Sequence, residues 1–289
     1  MLISTEIHTP SLLIGEEKAV ELVAKAGFDA FDFSMFVMGT YDWAKKTVVN
    51  NGHPLQGKEC LAFARKLKKV AEDNGIHCNQ SHAPFPIYCK EIWDLQRRAI
   101  ECTAEAGGKI CIVHPDNDKN GYENAEMYME LLPFAKAHDV KIATENMWNW
   151  NYDLDQAAPA ACSDPKSFLE HIHAVNDPYL IACLDLGHAE MQGLNTNAVE
   201  MIRALDSHLQ ALHIHDVDKH DDNHQIPFSL NVEFAPIVKA LKEIGYQGEF
   251  TLEACSYLSA FNADNVFEGV KDLAVAARKL ANWFDDPNF

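Results

Sequence analysis

The sequence predicts a single-domain α/β protein, a (β/α)8 TIM barrel, and three observations lead there. Apolar, strand-like runs alternate with amphipathic, helix-like runs along all 289 residues, and such alternation implies a parallel sheet. There are eight of these units, and an eight-stranded barrel takes about 250 residues. No Gly-x-Gly-x-x-Gly follows the first strand, so the rival open sheet lacks its usual nucleotide loop. Residues 1–289 are therefore read as one domain.

Residues 2–7 make the first strand and 16–26 its helix, with Gly27 as the C-terminal stop. The second strand covers 28–36 and leads into a long loop, 37–56, punctuated by Gly39, Asn50-Asn51-Gly52 and Pro54. Cys60, Ala64, Leu67 and Ala71 give the second helix its apolar stripe. A third strand, 76–80, runs into Ser81-His82-Ala83-Pro84. Ile92, Leu95, Ala99, Cys102 and Ala106 alternate steps of three and four, and Gly107-Gly108 ends that helix. The fourth strand, 110–113, closes on His114-Pro115. The helix over 122–137 contains Pro133, which is expected to kink or divide it. The fifth strand, 140–144, is followed by Glu145-Asn146. Ser163-Asp164-Pro165 then opens a helix with a cap and an early proline. The sixth strand, 180–184, is apolar on both faces, as buried parallel strands are. It stops at Asp185, with Gly187 and His188 close behind. A helix over 195–206, a strand over 209–214, a helix over 232–244, a strand over 248–252 and a helix over 264–284 complete the series.

Composition narrows the partners. Lys and Arg total 24 against 43 Asp and Glu, a net charge of −19. Such a field repels nucleic acid and anionic membranes and favours small neutral or cationic ligands. No apolar stretch approaches the roughly 18 residues of a membrane span, and the first residues lack the basic start of a secretory signal. The eight cysteines contain no Cys-x-x-Cys pair, and several lie in apolar runs. A reduced, cytoplasmic protein is the expectation. The oligomeric state is open, and a homo-oligomer is compatible with the sequence.

The chemistry collects at the strand ends. In a barrel of parallel strands, every C-terminal end points to one mouth. The residues closing the last six strands are His82, His114, Glu145, Asp185, His213 and Glu253, roughly 30–40 residues apart, one strand–helix unit each time. Accidental polar ends would include Ser, Thr, Asn and Lys, whereas only metal-ligand types appear. Glu145, Asp185, His213 and Glu253 form a set of three carboxylates and one imidazole, which would repel one another without a cation. Such oxygen-rich ligation suits one divalent ion, Mn²⁺ foremost, with Mg²⁺, Co²⁺ or Zn²⁺ as alternatives. His213 and His215 share a strand face, and His213 is taken as the ligand, with His215 supporting it. Asp222 and His224, two apart in the following loop, are candidates for further ligation. Trp148, with Phe33, Phe36, Phe85 and Tyr88 near other strand ends, suggests aromatic walls for a sugar's C–H faces. His82 and His114 are expected to face the same substrate.

At these residues the chain resembles the xylose isomerase-like barrels, a superfamily of sugar isomerases and epimerases that also holds metal-dependent apurinic endonucleases. The resemblance rests on Ser81-His82-Ala83-Pro84, Val113-His114-Pro115, Thr144-Glu145-Asn146, Leu184-Asp185-Leu186-Gly187-His188, Leu212-His213-Ile214-His215-Asp216 and Thr251-Leu252-Glu253-Ala254, which span nearly the whole chain. The epimerase branch implies one metal held by Glu145, Asp185, His213 and Glu253. It also implies that Glu145 and Glu253 move a proton next to a carbonyl through a metal-stabilised enediolate, and that His188 binds a substrate hydroxyl. Where that branch carries an arginine six residues beyond His213, this chain has Lys219, a further expected substrate contact. A lyase or dehydratase on a keto-inositol or keto-glycoside would use the same metal and bases. The endonuclease branch implies three zinc ions on nine residues, and each has a counterpart here: His82, His114, Glu145, Asp185, His188, His213, Asp222, His224 and Glu253. The acidic charge and Phe228-Ser229-Leu230, standing where that branch has Gly-x-Gly, speak against cleavage of DNA.

Overall fold

A computed structural model describes residues 1–289. Eight parallel strands form the barrel: β1 (Ile3–Glu6), β2 (Ala30–Ser34), β3 (His77–His82), β4 (Ile110–Ile112), β5 (Lys141–Glu145), β6 (Leu180–Asp185), β7 (Leu209–His213) and β8 (Phe250–Leu252). They pair in chain order, and β8 returns to pair with β1 in the register Ser4 to Thr251. The β7–β8 seam is thin. Past the end of β7, Ile214 N–H donates to Thr251 O (2.9 Å) and Glu253 N–H to Ile214 O (3.0 Å).

The covering helices are α1 (Glu16–Ala26), α2 (Cys60–Asp73), α3 (Gln96–Ala106), α4 (Gly121–Ala137), α5 (Pro165–Val175), α6 (Ala198–Leu205), α7 (Phe234–Glu243) and α8 (Val266–Asp285). Their ends follow local chemistry. Gly27 takes φ +99° to close α1, Asn120 and Glu123 form a capping box on α4, and Asp164 caps α5 ahead of Pro165. Pro133 corrects the expectation of a break: α4 runs through it as one helix. It sits on the solvent face, and Met129, whose carbonyl loses its donor, is half exposed and open to water.

Two polar hairpins interrupt stretches that read as loop. Tyr41–Asp42 pairs with Thr47–Val48, and Trp148–Asn151 with Gln156–Pro159. The main apolar core lies between helices and barrel wall and takes in Phe31 and Phe33, both without exposed surface. Phe33 therefore packs away from the mouth, contrary to its expected place in an aromatic wall, because residues alternate across a strand and Asp32 takes the inward side. Inside the barrel, Ile112, Ala143, Ile181, Cys183 and Ala211 form a small apolar plug. Beneath the mouth, Ser4 Oγ donates to Asn79 Oδ1 (2.8 Å) and Asn79 Nδ2 to Thr251 Oγ1 (2.8 Å). No helix is long and apolar enough to cross a membrane.

Candidate active site

The barrel brings the strand-end residues to one place. Glu145, Asp185, His213 and Glu253 each present a ligand atom, and the four atoms lie within 4.8 Å of one another. Glu145, at the end of β5, is 1% exposed. Its Oε1 is 2.8 Å from His213 Nδ1, while its Oε2 faces His114 Nε2 (3.1 Å) and His82 Nε2 (3.5 Å). Glu253, just past β8, reaches His213 Nδ1 at 3.5 Å through Oε2. Asp185 ends β6 and caps the short turn after it, accepting from His188 N–H (2.8 Å).

A second group stands beside the first: His188, His215, Asp222 and His224. His188 Nδ1 bonds Asn146 O (2.8 Å), and its Nε2 lies 3.2 Å from Asp222 Oδ2. His224 Nε2 meets the same oxygen at 3.1 Å. His215 Nε2 holds both Asp185 oxygens (2.9 and 3.1 Å), and its ring stacks on His224 at 3.8 Å. Gly187 makes this fit, since a Cβ there would run into the His215 ring. Lys219, by contrast, pairs with Glu190 (3.0 Å) and does not line the cavity.

Two acidic residues that the strand-end pattern missed lie under the ring. Asp32 of β2 places Oδ2 3.3 Å from His213 Nε2 and accepts from Gln80 Nε2 (2.9 Å). Glu6 closes β1, is 1% exposed, and has one oxygen without a partner. Counting inward-facing positions on β1 and β2 would have found both, because each sits two residues from another interior residue.

Burial by itself would raise the Glu145 carboxyl, but His213, His114 and His82 hold it well below the usual carboxylate range. Burial likewise opposes a charged His188, yet Asp185 and Asp222 push it up to about 10. Protons on imidazoles thus supply positive charge that the buried carboxylates demand, and Asp222 Oδ1 and Asp32 Oδ1 remain without partners. The donor set fits a divalent cation on these grounds. Glu6 is pushed up to about 7 by its burial and then by the Glu253 charge. A raised carboxyl is a cost that is absent below its ordinary 4.5, grows as pH climbs, and is complete above about 7. Glu6→Gln is therefore expected to stabilise the protein at pH 8 by on the order of 2–3 kcal/mol and to change nothing at pH 4. Denaturant titration at the two pH values checks this; equal effects at both would refute it.

These groups open into a cavity of about 570 Å³, walled by Phe36, Phe85 and Tyr88 on one side and Trp148 on the other. Asp116, Asp118, Glu145, Asp222 and Glu253 line it, together with His82, His114, His188 and His224, and no Lys or Arg does.

The family model for xylose isomerase-like TIM barrels matches residues 20–284. A D-tagatose 3-epimerase-like protein superposes with TM-score 0.71 at 21% identity, covering 98% of this chain and 99% of that one. The zinc-bound IolI protein gives TM-score 0.71 at 17% identity over 99% and 100% of the two chains. D-allulose 3-epimerase from Methylomonas sp. gives 0.68 at 17% over 98% and 97%. At such identities the likeness speaks for the fold. An uncharacterized protein of Methanocaldococcus jannaschii is 28% identical over 171 residues, 54% of each chain, so the chain spans about half the length of that curated relative.

Proposed function

The chain belongs to the xylose isomerase-like TIM barrel family, and from that premise we propose that it is a divalent-metal-dependent isomerase or epimerase of an uncharged sugar. The observation that carries the reading is the convergence of Glu145, Asp185, His213 and Glu253 on one point, from which Glu145 and Glu253 open into a cavity roomy enough for a sugar. The fold neighbours named as epimerases support the same choice.

Glu145, Asp185, His213 and Glu253 would hold the ion, and the oxygen-rich set suits Mn²⁺ best, with Co²⁺ and Mg²⁺ next. An ion there would supply Lewis-acid chemistry to a substrate carbonyl and to the negative charge that develops as the neighbouring carbon loses its proton. Glu253, on the cavity wall, takes the proton from the carbon next to the carbonyl, and Glu145 relays one back from the His82 imidazolium beside it (3.5 Å), which is left neutral until the Glu253 proton is lost to solvent and His82 is recharged. His188, its Nδ1–H held by Asn146 O, shares its Nε2–H between Asp222 and a substrate hydroxyl. His82 and His114 hold Glu145 and face the sugar, whose C–H face rests on Trp148. Lys219, paired with Glu190, serves at most the rim.

Asp32 orients His213: with its Nε2–H held by the carboxylate, Nδ1 points its lone pair at the cluster. Asp32→Asn is expected to weaken metal binding by about 10–100-fold, read by competition with a metallochromic chelator; unchanged affinity would remove Asp32 from this role.

The test is deuterium uptake from D₂O into ketoses by the metal-loaded protein. Exchange without loss of any group supports the isomerase, loss of water or an aglycone the lyase, and no exchange with any ketose overturns both. A second reading has its own observation. His82, His114 and Glu145 form one further ligand group, and His188, Asp222 and His224 belong to another. Two to three zinc ions per chain with phosphodiester hydrolysis would bear it out, against the absence of any Lys or Arg in the cavity lining.

A further inference from the structure

Resting on the isomerase reading, we propose that the substrate is a keto-sugar carrying an uncharged, ring-containing substituent, seated on a shelf formed by Trp43 and Tyr88, and that phosphorylated sugars are refused. Room comes first. At about 30 Å³ per water-sized group, the six carbons and six oxygens of a free ketohexose take at most about 360 Å³. The main cavity holds about 570 Å³. A second cavity of about 270 Å³ adjoins it and shares Phe36, Trp43 and Phe85 with it. A monosaccharide held at the carboxylate cluster therefore leaves the outer space unfilled.

The outer space is aromatic. Trp43 is 59% exposed and Tyr88 61%, unusually open for rings of that size. Tyr41 stands between them, edge-on to both at 5.0 and 6.3 Å, so that they are braced rather than loose. The hairpin that carries Trp43 is anchored in turn, as Asn51 Nδ2 donates to Val37 O and to Thr40 Oγ1, each at 2.9 Å. Open ring faces held in place next to a sugar site suit stacking of a flat, uncharged ring, either a second sugar or an aryl group.

Charge supplies the exclusion. Five carboxylates and no Lys or Arg line the main cavity, and the His188 and His224 imidazoles there are already engaged by Asp222 (3.2 and 3.1 Å). The lysines within two residues of the lining are already paired, Lys45 with Asp42 (2.9 Å), Lys90 with Asp94 (2.9 Å) and Lys119 with Asp116 (3.2 Å), and Lys219 is held by Glu190 (3.0 Å). A phosphate would find repulsion and no charged donor.

The experiment uses the Mn²⁺-loaded enzyme and one ketose in four forms: free, glycosylated, aryl-substituted and phosphorylated. The expected kcat/KM for deuterium uptake is at least ten-fold higher for the glycosylated or aryl form than for the free ketose, and lowest for the phosphate. In Trp43→Ala the ratio of substituted to free ketose is expected to fall about ten-fold. A free ketose as good as both substituted forms, a preferred phosphate, or an unchanged ratio in Trp43→Ala would overturn the proposal. Calorimetry with the corresponding unreactive alditols reads the shelf without chemistry. Equal affinities with and without the ring overturn the shelf. A Trp43-dependent preference with no deuterium uptake overturns the isomerase reading alone.

Discussion

Glu145→Gln and Glu253→Gln are each expected to lower metal-dependent proton exchange by about 10²–10⁴-fold, and to differ sharply in stability. Glu145 is enclosed, with both oxygens engaged by His213, His114 and His82. A glutamine there removes the one negative charge that three buried imidazoles share, and its amide can match only part of their geometry. Leaving buried polar partners unmatched costs about 1–3 kcal/mol, so the Glu145 variant should lose stability along with activity. Glu253 stands at the cavity wall, and its nearest basic atoms are His213 Nδ1 at 3.5 Å and His224 Nδ1 at 3.8 Å. Neutralising it in the metal-free protein removes one of three crowded carboxylates and costs little. The pair of variants is read by D₂O exchange and thermal melting. Exchange within ten-fold of wild type in either variant would remove that glutamate from proton transfer.

Chelation is expected to have the other large effect. Four buried ligand groups from four strand ends bind an ion only when folded, so the ion stabilises the native state by mass action. At a free concentration 100 times the dissociation constant this is about 2.7 kcal/mol. At roughly 2–4 °C per kcal/mol, stripping the metal should lower Tm by about 5–11 °C. Exchange activity should vanish with it, and Mn²⁺ or Co²⁺ should restore both. A melting curve and an activity indifferent to chelator would mean that the cluster holds no ion.

How far the sequence foretold this site depends on where each residue sits relative to a strand end. Glu145, Asp185 and Glu253 are legible because apolar runs stop at them, and the barrel then gives the convergence without further information. Asp222 and His224 were readable only as a pair in a loop; the fold of that loop, with Asp216 accepting from Ser229, Leu230 and Val232 N–H, turns both toward His188. Asp32 was missed because it lies inside an apolar run rather than at its end, although strand alternation sets it on one face with Ala30 and Ser34, opposite Phe31 and Phe33. Lys219 shows the opposite failure. Its position relative to His213 is right, but φ +74° turns the chain there and Glu190 captures its ammonium group. Pro133 misled because a proline's effect on a helix depends on whether the freed carbonyl meets water, a property of packing rather than of sequence.

The thin seam between β7 and β8 would give an ion bound at this cluster a mechanical meaning. Neighbouring strands elsewhere pair at two to five residue positions, but here the ladder is reduced to the bonds around Ile214. The side chains flanking that point, His213 on one strand and Glu253 on the other, belong to the ligand cluster. An ion held by both would be a clasp across the thinnest seam of the cylinder. Slow breathing of the barrel, as amide exchange at Ile214 and Glu253 would register it, would then follow metal occupancy, and loading an ion would double as the final closure of the fold.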